Sequence, residues 1–271
     1  MQSLRWGWMA LALTCPLWGQ VTGQATGQAP AQQTKGIPRD AAGKPDFTGV
    51  WAGPGFSHKV GPGDTDSPTV TRFDRKKMSP FQPGGQALMA RPITGKLLQD
   101  DPTSLCLPNG LTRQILSPYP QQFIQAPGKL IILYEYMHFF RVIPTDGRAH
   151  DKDVDLTWMG DSTAKWDGDT LVIDTVGLKE WMFDATHSQD GEGSRWHSDD
   201  LHMTERLRFV DPTSVSYQMT IDDPKIFTAP WNQDFSMKLH PTWKLLEFVC
   251  EENNRCEGGI CVESDIQKQN K

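Results

Sequence analysis

"WMGDSTAKWDGDTLVID", residues 158–174, is the stretch whose reading decides the fold. Its centre, Trp166-Asp167-Gly168-Asp169, has the composition of a tight turn, and the runs on either side alternate as strands do. Taking Asp167 and Gly168 as the two turn residues places Trp166 opposite Asp169 and Asp161 opposite Asp174. One face then carries Ser162, Ala164, Trp166, Asp169, Leu171 and Ile173. The other carries Asp161, Thr163, Lys165, Thr170, Val172 and Asp174. Facing carboxylates would approach within about 5 Å at Cβ. Buried together, one would keep its proton near neutral pH and act as a general acid. Lys165 and Thr170 on the same face favour a solvated polar edge instead.

Outward from this hairpin, the chain keeps giving strand signals. Gln121–Gln125 and Lys129–Val142 flank Ala126-Pro127-Gly128, where Pro followed by Gly suits a type II turn. The second of these runs is apolar on both faces, which predicts a central strand covered on both sides. "LHMTERLRF" and "SVSYQMTID" form a hairpin around Asp211-Pro212, in which Val215, Tyr217, Met219 and Ile221 alternate with polar residues. "WKLLEFVC", residues 243–250, reads as a late strand. Residues 53–105 are loop-like, and no amphipathic helix exceeds about two turns. The chain is therefore all-β and antiparallel: an up-and-down barrel or a sandwich with long loops.

The beginning of the chain has a basic start, a charge-free apolar run from Trp6 to Trp18, and a small, polar exit. That is the pattern of a secretory signal peptide, assigned to residues 1–25, and the run is too short to span a bilayer. Residues 26–44, rich in Gln, Gly, Ala, Thr and Pro, read as a flexible leader, and residues 45–271 as one β-barrel-like domain. Cleavage would remove Arg5 and no acid, taking the net charge from −6 to −7. An acidic chain without a basic cluster argues against nucleic acid as a partner. The expected location is the periplasm or the exterior. There, Cys106, Cys250, Cys256 and Cys261 imply two disulfides, with three connectivities open.

Several side chains have the character of site residues. Pairing Phe209 with Val215 and Leu207 with Tyr217 puts Glu205 on an apolar face opposite Met219, where a carboxylate must be paired or protonated. Arg141 or Arg148 can pair with it, which is either a structural tie or an acid with its anion stabiliser. His138 falls on a strand face with Tyr134, Tyr136 and Phe140, an arrangement suited to a cavity wall and to acid–base work. Trp158, Trp181 and His202 complete the expected substrate contacts, although exposed tryptophans equally plug barrel ends. His197 and His202, an odd number of residues apart, face opposite ways on one strand. There is no HExxH, tight Cys/His cluster or acidic calcium loop, so no metal is assigned. GxSxG, GxGxxG and the P-loop are absent, so no nucleotide cofactor is expected.

"PDFTGVW" (45–51), "CLPNGLTR" (106–113), "RVIPTDGRAH" (141–150), the opening stretch, "LHMTER" (201–206), "DDPKIFTAPW" (222–231) and "EFVCEENN" (247–254) together carry a resemblance. It is to a family of secreted bacterial proteins for which no reaction is established. The resemblance implies a secreted or periplasmic β-rich protein and carries over no catalytic role. Because Cys106 and Cys250 fall inside matched segments, it implies that they pair and that Cys256–Cys261 is local. Some members have Cys-His where this chain reads Cys250-Glu251, which weakens a metal reading there. Gly49-Val50-Trp51 also resembles the Gly-x-Trp opening of lipocalin-like barrels, whose Trp closes one end. The expected function is cofactor-free acid–base chemistry (isomerase, lyase or hydratase, or hydrolase type) on a small apolar or aromatic molecule held in the barrel. A non-catalytic ligand-binding barrel and an envelope structural or interaction protein are the alternatives.

Overall fold

The computed structural model describes residues 36–53, 73–184 and 193–250, together with the backbone of two short strands beyond them. Nine strands form the main sheet: β1 (Gly49–Ala52), β3 (Gln121–Ala126), β4 (Lys129–Tyr134), β5 (Phe140–Pro144), β6 (Asp161–Asp167), β7 (Thr170–Val176), β10 (His202–Asp211), β11 (Ser214–Asp222) and β12 (Trp231–Leu239). A second sheet of β2 (Ala90–Arg91), β9 (Ser194–His197) and β8 (Trp181–Met182) carries the excursion between β7 and β10. Helices α1 (Gly85–Met89), α2 (Leu97–Asp100) and α3 (Leu111–Ile115) are each about one turn. β13 (Cys256–Glu257) and β14 (Ile260–Cys261) pair with Cys256 opposite Cys261.

The main sheet runs β5-β4-β3-β1-β12-β11-β10-β7-β6 and curls into a nearly closed barrel. It is the all-β, up-and-down architecture expected, with β1 and β12 joining the two halves. Every neighbouring pair in that order is antiparallel. Nine strands make eight antiparallel steps, so the outermost strands, β5 and β6, point the same way. They lie side by side without a ladder, joined near one end by Gly147 N–H donating to Ala164 O at 2.9 Å. An odd strand number makes a parallel pair at the closure unavoidable. The connection from β5 back to the start of β6, residues 145–160, must return along the full strand length.

Tight turns close one end of the barrel and long connections the other. At the turn end Phe47, Trp51 and Phe209 pack together, and Trp51 donates from Nε1 to Phe47 O at 2.9 Å. At the loop end Phe73, Phe183, Phe227 and Trp231 pack against one another. The inward side chains between these plugs, including Leu130, Ile132, Leu171, Ile173, Leu207 and Met219, belong to one cluster and are closed to solvent.

Four expectations need correction. The hairpin at 158–174 turns on Gly168 and Asp169, so Asp161 faces Val176 and Asp174 faces Thr163. Gly168 has φ +60° and Asp169 does not share a positive φ, the II′ pattern with Gly first. Arg39 meanwhile grips both oxygens of Asp169 at 3.0 and 2.7 Å. The partner moved by two residues, so the assigned faces stand. Second, residues 36–44 are held against the barrel through Arg39 and through Asp40, which accepts from Gln125. The leader and signal-peptide readings for 1–35 lie outside the described residues.

Third, Lys129–Val142 is a hairpin: fourteen residues of strand would span about 46 Å, far longer than its neighbours. The chain reverses at a 3-10 turn, Tyr136–His138, leaving Phe140 62% and Val142 52% exposed on β5. Fourth, 243–250 is not a strand but an irregular segment without a sheet partner. Its end is tied by a Cys106–Cys250 disulfide, as the resemblance implied.

Candidate functional site

Inside the barrel, Arg141 on β5 reaches across the seam. Its guanidinium donates to both Glu205 oxygens, at 3.0 and 2.6 Å, and to Ser162 Oγ and Thr175 Oγ1 at 2.9 and 3.2 Å. Tyr217 donates its hydroxyl to the same carboxylate. Glu205 lies opposite Met219, with Leu207 facing Tyr217 and Phe209 facing Val215, as the alternation predicted. Both charged side chains are shut off from water, 3% exposed for Arg141 and 0% for Glu205. Burial works against the Arg141 charge, but the Glu205 carboxylate outweighs it and raises the pKa. Burial pushes the Tyr134 hydroxyl up to about 12. Arg141 thus ties β5 to β6, β7 and β10 where no ladder does. Both groups are closed to solvent, which favours the structural tie over contact with a substrate.

A second polar group sits on the outer face at the loop end. His150, on the return connection, places Nδ1 2.6 Å from Asp161 Oδ2 and Nε2 3.0 Å from Asp174 Oδ2. Asp174 Oδ1 also accepts from His202 Nε2 at 2.7 Å and from Thr204 Oγ1 at 3.3 Å. The register left Asp161 and Asp174 diagonal across the hairpin, and the imidazole fills the space between them. Partial burial disfavours charge on His150, yet its bonds to Asp161 and Asp174 prevail and its pKa is raised. The hydrogen bond to Asp174 raises His202 and outweighs the opposing effect of burial. Asp174 itself is held at about 2, first by His202 and then, against burial, by His150. The row Asp161–His150–Asp174–His202 ends in a ring that is 44% exposed and whose Nδ1 makes no bond to the described residues.

Other expected site residues lie elsewhere. His138 is exposed on the 3-10 turn, where its Nε2 accepts from Phe248 N–H at 2.8 Å, so it does not share an interior face with Tyr134. Tyr136 stacks on Tyr119 outside the barrel. Arg148 pairs with its neighbour Asp146 at the surface. Trp158 and Trp181 form a row with Trp196, capped by Lys179 over Trp158 and Arg91 over Trp196. Those cations cover ring faces that a ligand would stack on. His197 is buried, and burial lowers its pKa. Cys256 and Cys261 face each other in backbone register, and their side chains lie outside the described residues.

His150 was missed by the sequence reading. It lies eleven positions before Asp161 on a connection with no period of its own, so no local pattern marks it. Among the described residues, no group of three or more His, Cys, Asp or Glu is arranged to hold a metal ion, and no helix is long and apolar enough to cross a membrane. No family model, curated protein or solved structure matches the chain.

Proposed function

We propose that the protein is a periplasmic or secreted acid–base enzyme, working without a nucleotide cofactor on a small apolar or aromatic molecule, with His202 as its proton-transfer group. The observation that carries this reading is the hydrogen-bonded row ending in the open Nδ1 of His202. A carboxylate behind an imidazole fixes its orientation and tautomer and strengthens it as a base. Asp174 would do this for His202, and His150 with Asp161 would keep Asp174 ionised and in place. Once a substrate approaches Nδ1, the ring can take a proton and return it, the step shared by isomerisation, hydration and general-base hydrolysis. The Cys106–Cys250 disulfide supports an oxidising location. Ligand capture inside the barrel is less favoured, because the inward side chains are closed to solvent.

The test has two arms. A panel of aryl esters, lactones, enones and epoxides is incubated with the purified protein and followed by mass spectrometry. Removing a general base costs roughly 100- to 10,000-fold in rate. His202→Gln is therefore expected to abolish turnover with binding little changed, while Arg148→Ala leaves it intact. Independently of substrate, NMR titration should show the His202 pKa falling when Asp174 becomes Asn. A His202 ring indifferent to Asp174, or turnover that survives His202→Gln, defeats the reading.

A further inference from the structure

Past a turn at 240–243, where Trp243 N–H donates to His240 O at 3.0 Å, the chain runs on without a sheet partner as a strap, and its contacts have a pattern. Leu246 N–H donates to Glu135 Oε2 at 2.8 Å, and Phe248 N–H donates to His138 Nε2 at 2.8 Å. Alternate residues of an extended chain present their N–H groups to the same side. The turn between β4 and β5 thus offers side-chain acceptors at the two-residue spacing of a strand. Between those anchor points, Tyr119 and Tyr136 stack at 4.8 Å, and Phe248 meets both edge-on, at 5.6 and 4.7 Å. Two residues on, Cys250 is bonded to Cys106.

The platform is unusual in its backbone. Met137 and His138 have φ of +63° and +55°, successive non-glycine residues in the left-handed region. Each costs on the order of 1–3 kcal/mol and persists only where surrounding contacts impose it. Gln114 Nε2 donates to Tyr136 O, and Tyr134 N–H to Phe139 O, and these bonds hold the turn from inside. The result turns His138 outward as an acceptor. Main-chain capture plus a pocket for one side chain is how sheet edges recognise extended peptides; here carboxylate and imidazole stand in for the sheet edge.

We propose that Glu135, His138, Tyr119 and Tyr136 form a binding site for an extended peptide bearing an aromatic side chain, and that residues 244–250 occupy it in cis, latched by the Cys106–Cys250 disulfide. A dithiol that reduces the latch gives up two hydrogens to the cysteine sulfurs and itself becomes the disulfide. The strap is then a tethered competitor rather than a fixed occupant, and the site opens to a peptide in trans. The proposal is independent of the acid–base reading, since none of its residues belongs to the His202 row.

The probe is a fluorescein-labelled peptide of residues 244–250 with Cys250→Ser, followed by anisotropy. The host is the full chain carrying Cys106→Ser, Cys250→Ser and Phe248→Ala, with circular dichroism confirming the barrel. Saturable binding is expected, at least about tenfold tighter than to the oxidised wild type, where the strap competes at an effective concentration near millimolar. Binding should vanish with a Phe248→Ala peptide and with Tyr136→Ala in the host. A folded host that does not bind, a wild type that binds equally well, or a peptide indifferent to its Phe overturns the proposal. Hydrogen exchange on the wild-type chain guards against a host that fails to fold. The amides of Leu246 and Phe248 should lose protection on reduction while β3 and β4 keep theirs, and protection unchanged by reduction also overturns it.

Discussion

Removing Glu205 should cost far more than removing Glu205 and Arg141 together. The carboxylate is fully buried and takes bonds from Arg141 and Tyr217. Glu205→Leu leaves the Arg141 charge in the barrel without a counter-ion, a defect worth about 3–5 kcal/mol. Against a total stability of roughly 5–15 kcal/mol this is a large fraction. At about 2–4 °C per kcal/mol for a domain this size, the melting temperature should fall by about 6–20 °C. Arg141→Met with Glu205→Leu removes both charges. Ser162 and Thr175 keep their mutual bond at 3.0 Å, so the main remaining loss is the Tyr217 hydroxyl, about 1–3 kcal/mol when orphaned. Urea denaturation of the four proteins in the double-mutant cycle, with the disulfide intact, measures this directly. The double variant should be more stable than either single one. Additive losses, or a Glu205→Leu variant within about 1 kcal/mol of wild type, would refute the view that a buried ion pair spans the seam.

His150 and His202 have raised pKa values in the folded protein, so folding favours their protonated forms. Their contribution is complete below the unfolded value of about 6.5 and fades as pH rises through the folded values; urea midpoints from pH 5 to 9 should show this decline, and His150→Gln should flatten it. Asp174 behaves oppositely, stabilising above the unfolded value of about 4 and losing that contribution as pH falls through about 2. Gly49→Ala should destabilise by about 1–3 kcal/mol, since φ is +151° and a Cβ would sit 2.4 Å from Leu239 Cδ1; an unchanged melting curve would contradict this. Peptide mapping without reductant should find Cys106 joined to Cys250, and Cys256 joined to Cys261 across their hairpin.

The alternation of strands was legible in the sequence because it is local. It placed Glu205 against Met219 and gave the correct faces for residues 161–174, even with the partner strand displaced by two. The choice of turn residues was not local, since Arg39, far upstream, takes hold of Asp169. The apolar run 129–142 misled because composition does not say where a strand stops; the left-handed backbone at Met137 and His138 decides it. Arg141 was recognised as a partner for Glu205, but its work at the seam follows from strand parity, which only the whole topology sets. His150 and the strap of 244–250 act through single contacts on irregular chain, and periodicity has no hold on such segments.

The seam also makes the molecule divisible. The sheet begins and ends in the middle of the sequence, while β1 and β12, near the two extremes of the described chain, are joined by a ladder. A cut within residues 145–160 would sever no strand pairing. With the Cys106–Cys250 disulfide reduced, it would yield two pieces, β1–β5 and β6–β14, which meet along the β1–β12 and β2–β9 ladders and whose reassembly should be helped by Arg141 meeting Glu205. The same connection is the natural place for new chain ends if the old ones were fused, which would make this barrel a ready frame for a split reporter.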